Sequence, residues 1–154
     1  MKDIKKIMKD IKKILVVSRS TKNCRKAVHF GISLARSYKA KLYVLHVVHD
    51  PLHLEGWDMI VPSIHGEYIE MMETYKKELH NIIEDERGQD GIEIFEEVRE
   101  GEPVKEIMQV IESEGIDLLA MLAHEEGRLE HFLFGRTNEA LLRKMPCSIL
   151  MVKQ

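Results

Sequence analysis

"KKILVVSRSTKNCRKAVHFGISLARSYKAKLYVLHVV", residues 12–48, is the stretch whose reading decides the fold. Two apolar runs, Ile14–Val17 and Leu42–Val48, flank a segment whose apolar residues recur at helical spacing. Ala27, Val28, Gly31, Leu34, Ala35 and Tyr38 fall on one face of a helix over 24–38. Unbroken apolar runs, as opposed to alternating ones, belong to strands buried on both faces. Strand, helix and second buried strand make one parallel crossover unit, and such units are right-handed.

The alternation continues outward from there. "DPLHLEGWDMIVPSIHG" (50–66) reads as a loop punctuated by Pro and Gly. Tyr68, Met72, Tyr75, Leu79 and Ile82 then mark a long helix. "IEIFEEV" (92–98) alternates, as a half-buried strand near an edge does. A helix over 102–113 has Pro103 in its first turn and Val104, Ile107, Met108 and Ile111 as its core face. "DLLAML" (117–122) is a strand, "TNEALLRKM" (137–145) a short helix and "SILMVK" (148–153) a last strand. The pattern predicts an α/β domain, a parallel sheet with helices on both faces. In such open sheets a ligand lies beyond the carboxyl ends of the strands, where strand order reverses. The loops that matter are therefore "SRSTKN", "HDPLHLEG" and "AHEEGRLEHFLFG".

At 154 residues the chain is long enough for one domain with a real core. A composition of 44% hydrophobic and 32% charged residues argues against disorder. A net charge of -3 gives no basic excess for a nucleic-acid partner. No apolar run is long enough to span a bilayer, and the Lys-rich N-terminus lacks the apolar block of a signal peptide. Cys24 and Cys147 have no metal-type spacing and read as thiols of a reducing cytoplasm. "MKDIKKI" occurs twice, at 1–7 and 8–14, with Ile4, Met8 and Ile11 at helical spacing. Residues 1–11 are therefore expected to be an extension of a domain over 12–154, either a short amphipathic segment or a stretch preceding a natural start at Met8. Its apolar face is thin for a membrane-surface helix.

Three segments, 12–48, "REGEPVKEIMQVIESEGIDLLAML" (99–122) and "FGRTNEALLRKMPCSILMVK" (134–153), resemble the universal stress protein family. The resemblance implies a Rossmann-like, five-stranded parallel sheet in the order 3-2-1-4-5 and a homodimer joined through residues 148–153. Independently, a strand such as "SILMVK" at a sheet edge offers unpaired backbone groups to a partner. The resemblance also implies a nucleotide cleft between the first and fourth strands. Its walls would include Val17 and Ser18, Val47, and Met121 and Leu122.

ATP-binding members of the family carry Gly-x2-Gly-x9-Gly-Ser/Thr and an Asp just after the first strand. The glycines let backbone N–H groups approach phosphates with no Cβ in the way. Aligned without gaps from Asp117, the pattern falls on Leu122, Glu125, Gly135 and Arg136, and the Asp position falls on Arg19. Only Gly135 matches. A second register takes Gly127 as the middle glycine, but it leaves His124 at the first position and requires two deletions. In the ungapped register Leu122 adds bulk. Glu125 would oppose an anion by about 4 kcal/mol at ~4 Å and an effective dielectric near 20. Arg19, Arg128 and Arg136 could offset that charge. No side chain restores the backbone approach. Thr137 or Asn138 would cap the last helix in place of the missing hydroxyl. A further reading makes Glu125, Glu126, Arg128, Glu130 and Arg136 a salt-bridged lid over an empty cleft.

Other groups carry weaker signals. His124 and His131 in "HEEGRLEH" are seven apart in an expected loop, unlike the His-Glu-x-x-His helix of metal sites. His49, Asp50 and His53 read as loop and capping residues, and Met71 and Met72 as helix packing. Trp57 would cover the cleft or a dimer surface. Cys24 sits at a helix start, which can lower a thiol pKa, and Cys147 reads as core. The expected function is a non-enzymatic, stress-associated dimer acting through partner proteins, with no cofactor, nucleic acid or membrane. The alternative is a sensor binding ATP, AMP or another anion in the cleft. A weak ATPase would need a metal carboxylate and a water-activating base, and the sequence offers neither beside the loop.

Overall fold

The computed structural model describes residues 11–18, 21–48, 62–89, 91–123 and 130–153. Among the described residues five strands, β1 (Lys13–Ser18), β2 (Lys41–Val48), β3 (Ile94–Glu100), β4 (Leu118–Ala123) and β5 (Ser148–Lys153), alternate with four helices. The helices are α1 (Thr21–Tyr38), α2 (Pro62–Arg87), α3 (Pro103–Glu114) and α4 (Glu130–Lys144). The strands form one sheet in the order β3-β2-β1-β4-β5. Every neighbouring pair is parallel. This is the expected Rossmann-like α/β architecture, with the strand order reversing between β1 and β4.

Successive side chains of a strand point to opposite faces, so each central strand feeds two cores. Ile14 and Val16 join Leu42, Val44, Leu118 and Ala120 beneath α1 and α2, against Val28, Ile32, Leu79 and Ile83. Leu15 and Val17 join Leu45, Val47, Leu119 and Met121 beneath α3 and α4, against Ile107, Val110, Ile111 and Leu141. A strand covered on both sides must be apolar at every position, which is why the first two strands read as unbroken runs. The β3 edge is only partly covered, with Ile94 and Val98 packed at the margin of the first core; its exposed Phe95 stacks on Tyr43 with ring centroids 4.8 Å apart.

Local chemistry sets the element ends. Glu102 caps α3, its carboxylate accepting from the N–H groups of Val104 (3.1 Å) and Lys105 (2.8 Å), with Pro103 at the first turn. Gly115 ends the helix in the left-handed conformation at φ 64°. Asp117 then ties β4 to β1. Its Oδ2 accepts from the N–H groups of Lys12 (2.8 Å) and Lys13 (2.9 Å), while its own N–H donates to the Lys13 carbonyl (3.0 Å). Because the cap satisfies two otherwise orphaned donors, Glu102→Ala should lower stability by about 1 kcal/mol, read as a shift in thermal midpoint.

Two boundaries differ from the sequence reading. Helix α2 starts at Pro62, so residues 62–66 are helical and not part of the preceding loop. Proline suits a first helical position, where its missing N–H has no intrahelical partner to lose. Helix α4 starts at Glu130 and not at 137. Thr137 and Asn138 are therefore interior helical residues, and neither caps the helix. Residues 1–10, the bulk of the duplicated extension, lie outside the described residues, while Ile11 packs at the margin of the first core. Among the described residues no helix is long and apolar enough to cross a membrane.

Candidate functional site

The carboxyl ends of β1, β2 and β4 bring together three of the expected wall residues. Val17, Val47 and Met121 are buried in the same core, beside Leu141 of α4. Thr137 of α4 is buried as well. Gly135 and Arg136 lie within α4, whose backbone is continuous through both. Arg19, Glu125, Gly127 and Arg128 lie outside the described residues, and so does most of the lid reading built on Glu125, Glu126 and Arg128.

The helical state of Gly135 changes its chemistry. It is the sixth residue of a helix beginning at Glu130. Only the first four N–H groups of an α-helix lack a carbonyl partner within it. The Gly135 N–H is thus engaged along the helix axis and is not available to cradle a phosphate. The expectation of a loop glycine at this position is corrected on that ground.

Leu122 separates from the other wall residues. Its neighbours Leu119 and Met121 face α3 and α4, whereas Leu118 and Ala120 face α1. Alternation carries Leu122 to the α1 face, where with Val152 and Phe30 it lines a groove. Bulk at position 122 therefore fills the α1 side and not the side occupied by Val17, Val47 and Met121.

Ser18 belongs to a buried polar cluster that the sequence reading missed. It pairs in register with His46 of β2, and the His46 Nδ1 lies 3.4 Å from the Ser18 Oγ. The His46 ring tilts against Tyr75 with centroids 5.1 Å apart. Cys24, His46, Tyr75 and Glu78 share a small cavity with Leu79 and Ile82. Burial pushes the His46 imidazole below its usual pKa, with a hydrogen bond to the Ser18 backbone opposing in part. Burial likewise pushes the Cys24 thiol up, against a smaller downward pull from its hydrogen bond with Ser18. The thiol is thus not activated: desolvation outweighs the Ser18 hydrogen bond and the pull of Arg25, and Cys24 is the fourth residue of α1. Cys147 is half-buried at the edge of the second core, its thiol also raised by burial. The available signal was a lone histidine within an otherwise apolar strand.

The buried imidazole gives a signed pH dependence. The folded state holds His46 neutral at pH values where the unfolded chain, with a pKa near 6.5, already binds a proton. Stability from this group is complete above about pH 6.5 and falls as the pH drops through that value. Ser18, Cys24, Tyr75 and Glu78 are the polar groups around the cavity it shares. Urea midpoints at pH 7.5 and 5.5 should drop for the parent chain and drop less for His46→Gln.

Among the described residues no cluster of His, Cys, Asp and Glu is arranged to hold a metal. His131 is placed only as a position in α4; His124, His49, Asp50, His53 and Trp57 lie outside the described residues. Met72 is half-buried along α2, and Met71 is exposed.

The profile of the Universal stress protein family matches residues 10–153. Universal stress protein MJ0531 of Methanocaldococcus jannaschii is 28% identical over 148 residues, covering 93% of this chain and 82% of that protein. Universal stress protein MJ0577 of the same organism is 30% identical over 83 residues, 54% of this chain and 46% of that protein. In solved form MJ0577 superposes with a TM-score of 0.64 at 21% identity, over 94% of this chain and 96% of that chain. A universal stress protein in complex with cAMP gives 0.58 at 15% identity, over 93% and 97% of the two chains. One from Archaeoglobus fulgidus in complex with dAMP gives 0.55 at 17%, over 93% and 98%. At these identities the solved structures establish a shared fold.

Proposed function

The chain belongs to the universal stress protein family, and on that footing we propose that it is a stress-response homodimer of the cytoplasm, joined through β5. In this reading residues 12–154 form the single domain and the chain acts through partner proteins, without catalysis. It does not hold ATP in the way the Gly-x2-Gly-x9-Gly-Ser/Thr pattern provides. The observation that carries the reading is the continuous α4, which engages the Gly135 N–H within the helix. Arg136 adds to it, since it stands where the pattern has a residue chosen for phosphate contact.

The dimer reading is supported by the edge position of β5. Its outer side has no strand partner among the described residues, and Leu150 and Met151 are over a third exposed. Such an edge invites pairing with another chain. Light scattering on the full chain should return twice the chain mass, and Met151→Pro, which removes a ladder donor, should shift it toward the monomer. A parent chain of monomer mass at all accessible concentrations would refute this part.

A second reading, a sensor for AMP, a cyclic nucleotide or another anion in the cleft between β1 and β4, has its own support. Two relatives of the same fold are described in complex with cAMP and dAMP. Both are monophosphates, which need fewer backbone donors than a triphosphate, and Arg19, Arg128 and Arg136 are available in sequence to meet one. Thermal melts with AMP, cAMP and inorganic phosphate separate the readings. A saturable rise with AMP or cAMP supports the sensor; flat melts leave the partner-protein reading.

A further inference from the structure

The α1 face of the sheet is unevenly covered. Helices α1 and α2 lie over the first core, built mainly on β1 and β2. Toward β4 and β5 their cover runs out and a groove of about 320 Å³ remains. Phe30 of α1, Leu122 of β4 and Val152 of β5 give it apolar walls from three separate elements. Arg25, Lys26, His29 and Glu86 form its polar side. The volume lies at the lower end of the range for small-ligand pockets, ~300–1,000 Å³.

The polar side is not uniform. Arg25 donates to Glu86 at 2.9 Å and to Asp85 at 3.0 Å, and the His29 Nδ1 lies 2.9 Å from the other Glu86 oxygen. These groups satisfy one another and bind α1 to the end of α2. His29 and Arg25 hold the Glu86 carboxyl below its usual range, so it stays ionised and engaged. The Lys26 side chain stands apart, with no ion pair or hydrogen bond to another described residue. Arg25 is thus matched by Glu86 and by Asp85 beside the groove, and Lys26 is the lining cation left unspent.

We propose that the groove between α1 and strands β4 and β5 binds a small amphipathic carboxylate, its apolar body against Phe30, Leu122 and Val152 and its head group at Lys26. One cation beside an apolar wall matches one negative charge on an apolar chain. A nucleotide triphosphate would demand several donors, and a cation would meet repulsion from Lys26. Leu122 and Val152 project from the sheet face, so edge pairing of β5 does not itself consume them. The site therefore stands or falls separately from the cleft and from the dimer.

Decanoate is a suitable probe, with 1-decanol as its uncharged counterpart, both below aggregation concentrations and with the full chain. Methyl NMR should show saturable shifts at the Leu122 and Val152 methyls with decanoate. Binding of 1-decanol should be roughly fivefold weaker, the size expected of one exposed ion pair. Lys26→Gln should bring decanoate down to the level of decanol, and Lys26→Arg should keep most of the preference. Lys26 is exposed, so the parent and variants should melt alike without ligand. Val152→Trp should block both probes. Absence of saturable shifts, equal binding of the two probes, or an unchanged decanoate affinity in Lys26→Gln would each overturn the assignment.

Discussion

Leu119→Ala is expected to lower the free energy of unfolding by about 2–5 kcal/mol, the usual range for a fully buried leucine. Leu119 is fully buried in β4, between Leu15 of β1 and Ile149 of β5 in the register. It faces the core shared with Ile107, Val110 and Leu141, so the lost atoms leave a cavity between the sheet and two helices. Both strands that flank it are anchored from their ends, β1 through Asp117 and β5 through the ladder. Such neighbours cannot collapse inward to fill the space, and the cost should lie in the upper half of the range. Urea unfolding with an unchanged slope checks it. A loss below about 1 kcal/mol would place Leu119 outside the core.

Gly31→Val should cost about 3 kcal/mol, for the opposite reason. A Cβ at Gly31 would lie 2.8 Å from Val16 Cγ1 and 3.0 Å from Leu42 Cδ1. Helix α1 rests directly on β1 and β2 at this point, and those side chains are fully buried with no room to turn. Alanine should be milder, because its better helix propensity returns about 1 kcal/mol of the strain. Gly66 in α2 supplies the control: nothing lies within 4 Å of its Cβ position. Gly66→Ala should stabilise by about 0.5–1 kcal/mol. If valine at 31 were neutral, α1 would have to sit farther from the sheet than it does.

The parts of the fold legible in the sequence are those where burial dictates residue type at every position. Ile14–Val17 must be apolar because β1 is covered on both faces, and the run is unbroken for that reason. The start of α4 was not legible. Gly135 suggests a break, yet a glycine inside a helix costs only about 1 kcal/mol, less than a continuing hydrogen-bonded ladder can absorb. The family pattern also pointed to a loop there, and the resemblance outweighed the local propensity. His46 hid because it occupies one position of an apolar run, and its partner Ser18 is 28 residues away. The orientation of Leu122 could have been found: counting by twos along β4 from Leu118 places it on the α1 face. The cleft itself was legible as a location at the strand ends, because topology fixes it. Its chemistry was less so, since that depends on which backbone N–H groups remain free of a helix.

Calorimetric titration of the full-length chain with Mg-ATP tests that last dependence most directly. With α4 continuous through Gly135, no saturable heat should appear, and the melting curve should not move at millimolar nucleotide. Tight saturable binding would contradict the account, above all with a stabilisation of about 2.7 kcal/mol at a hundredfold excess over the dissociation constant.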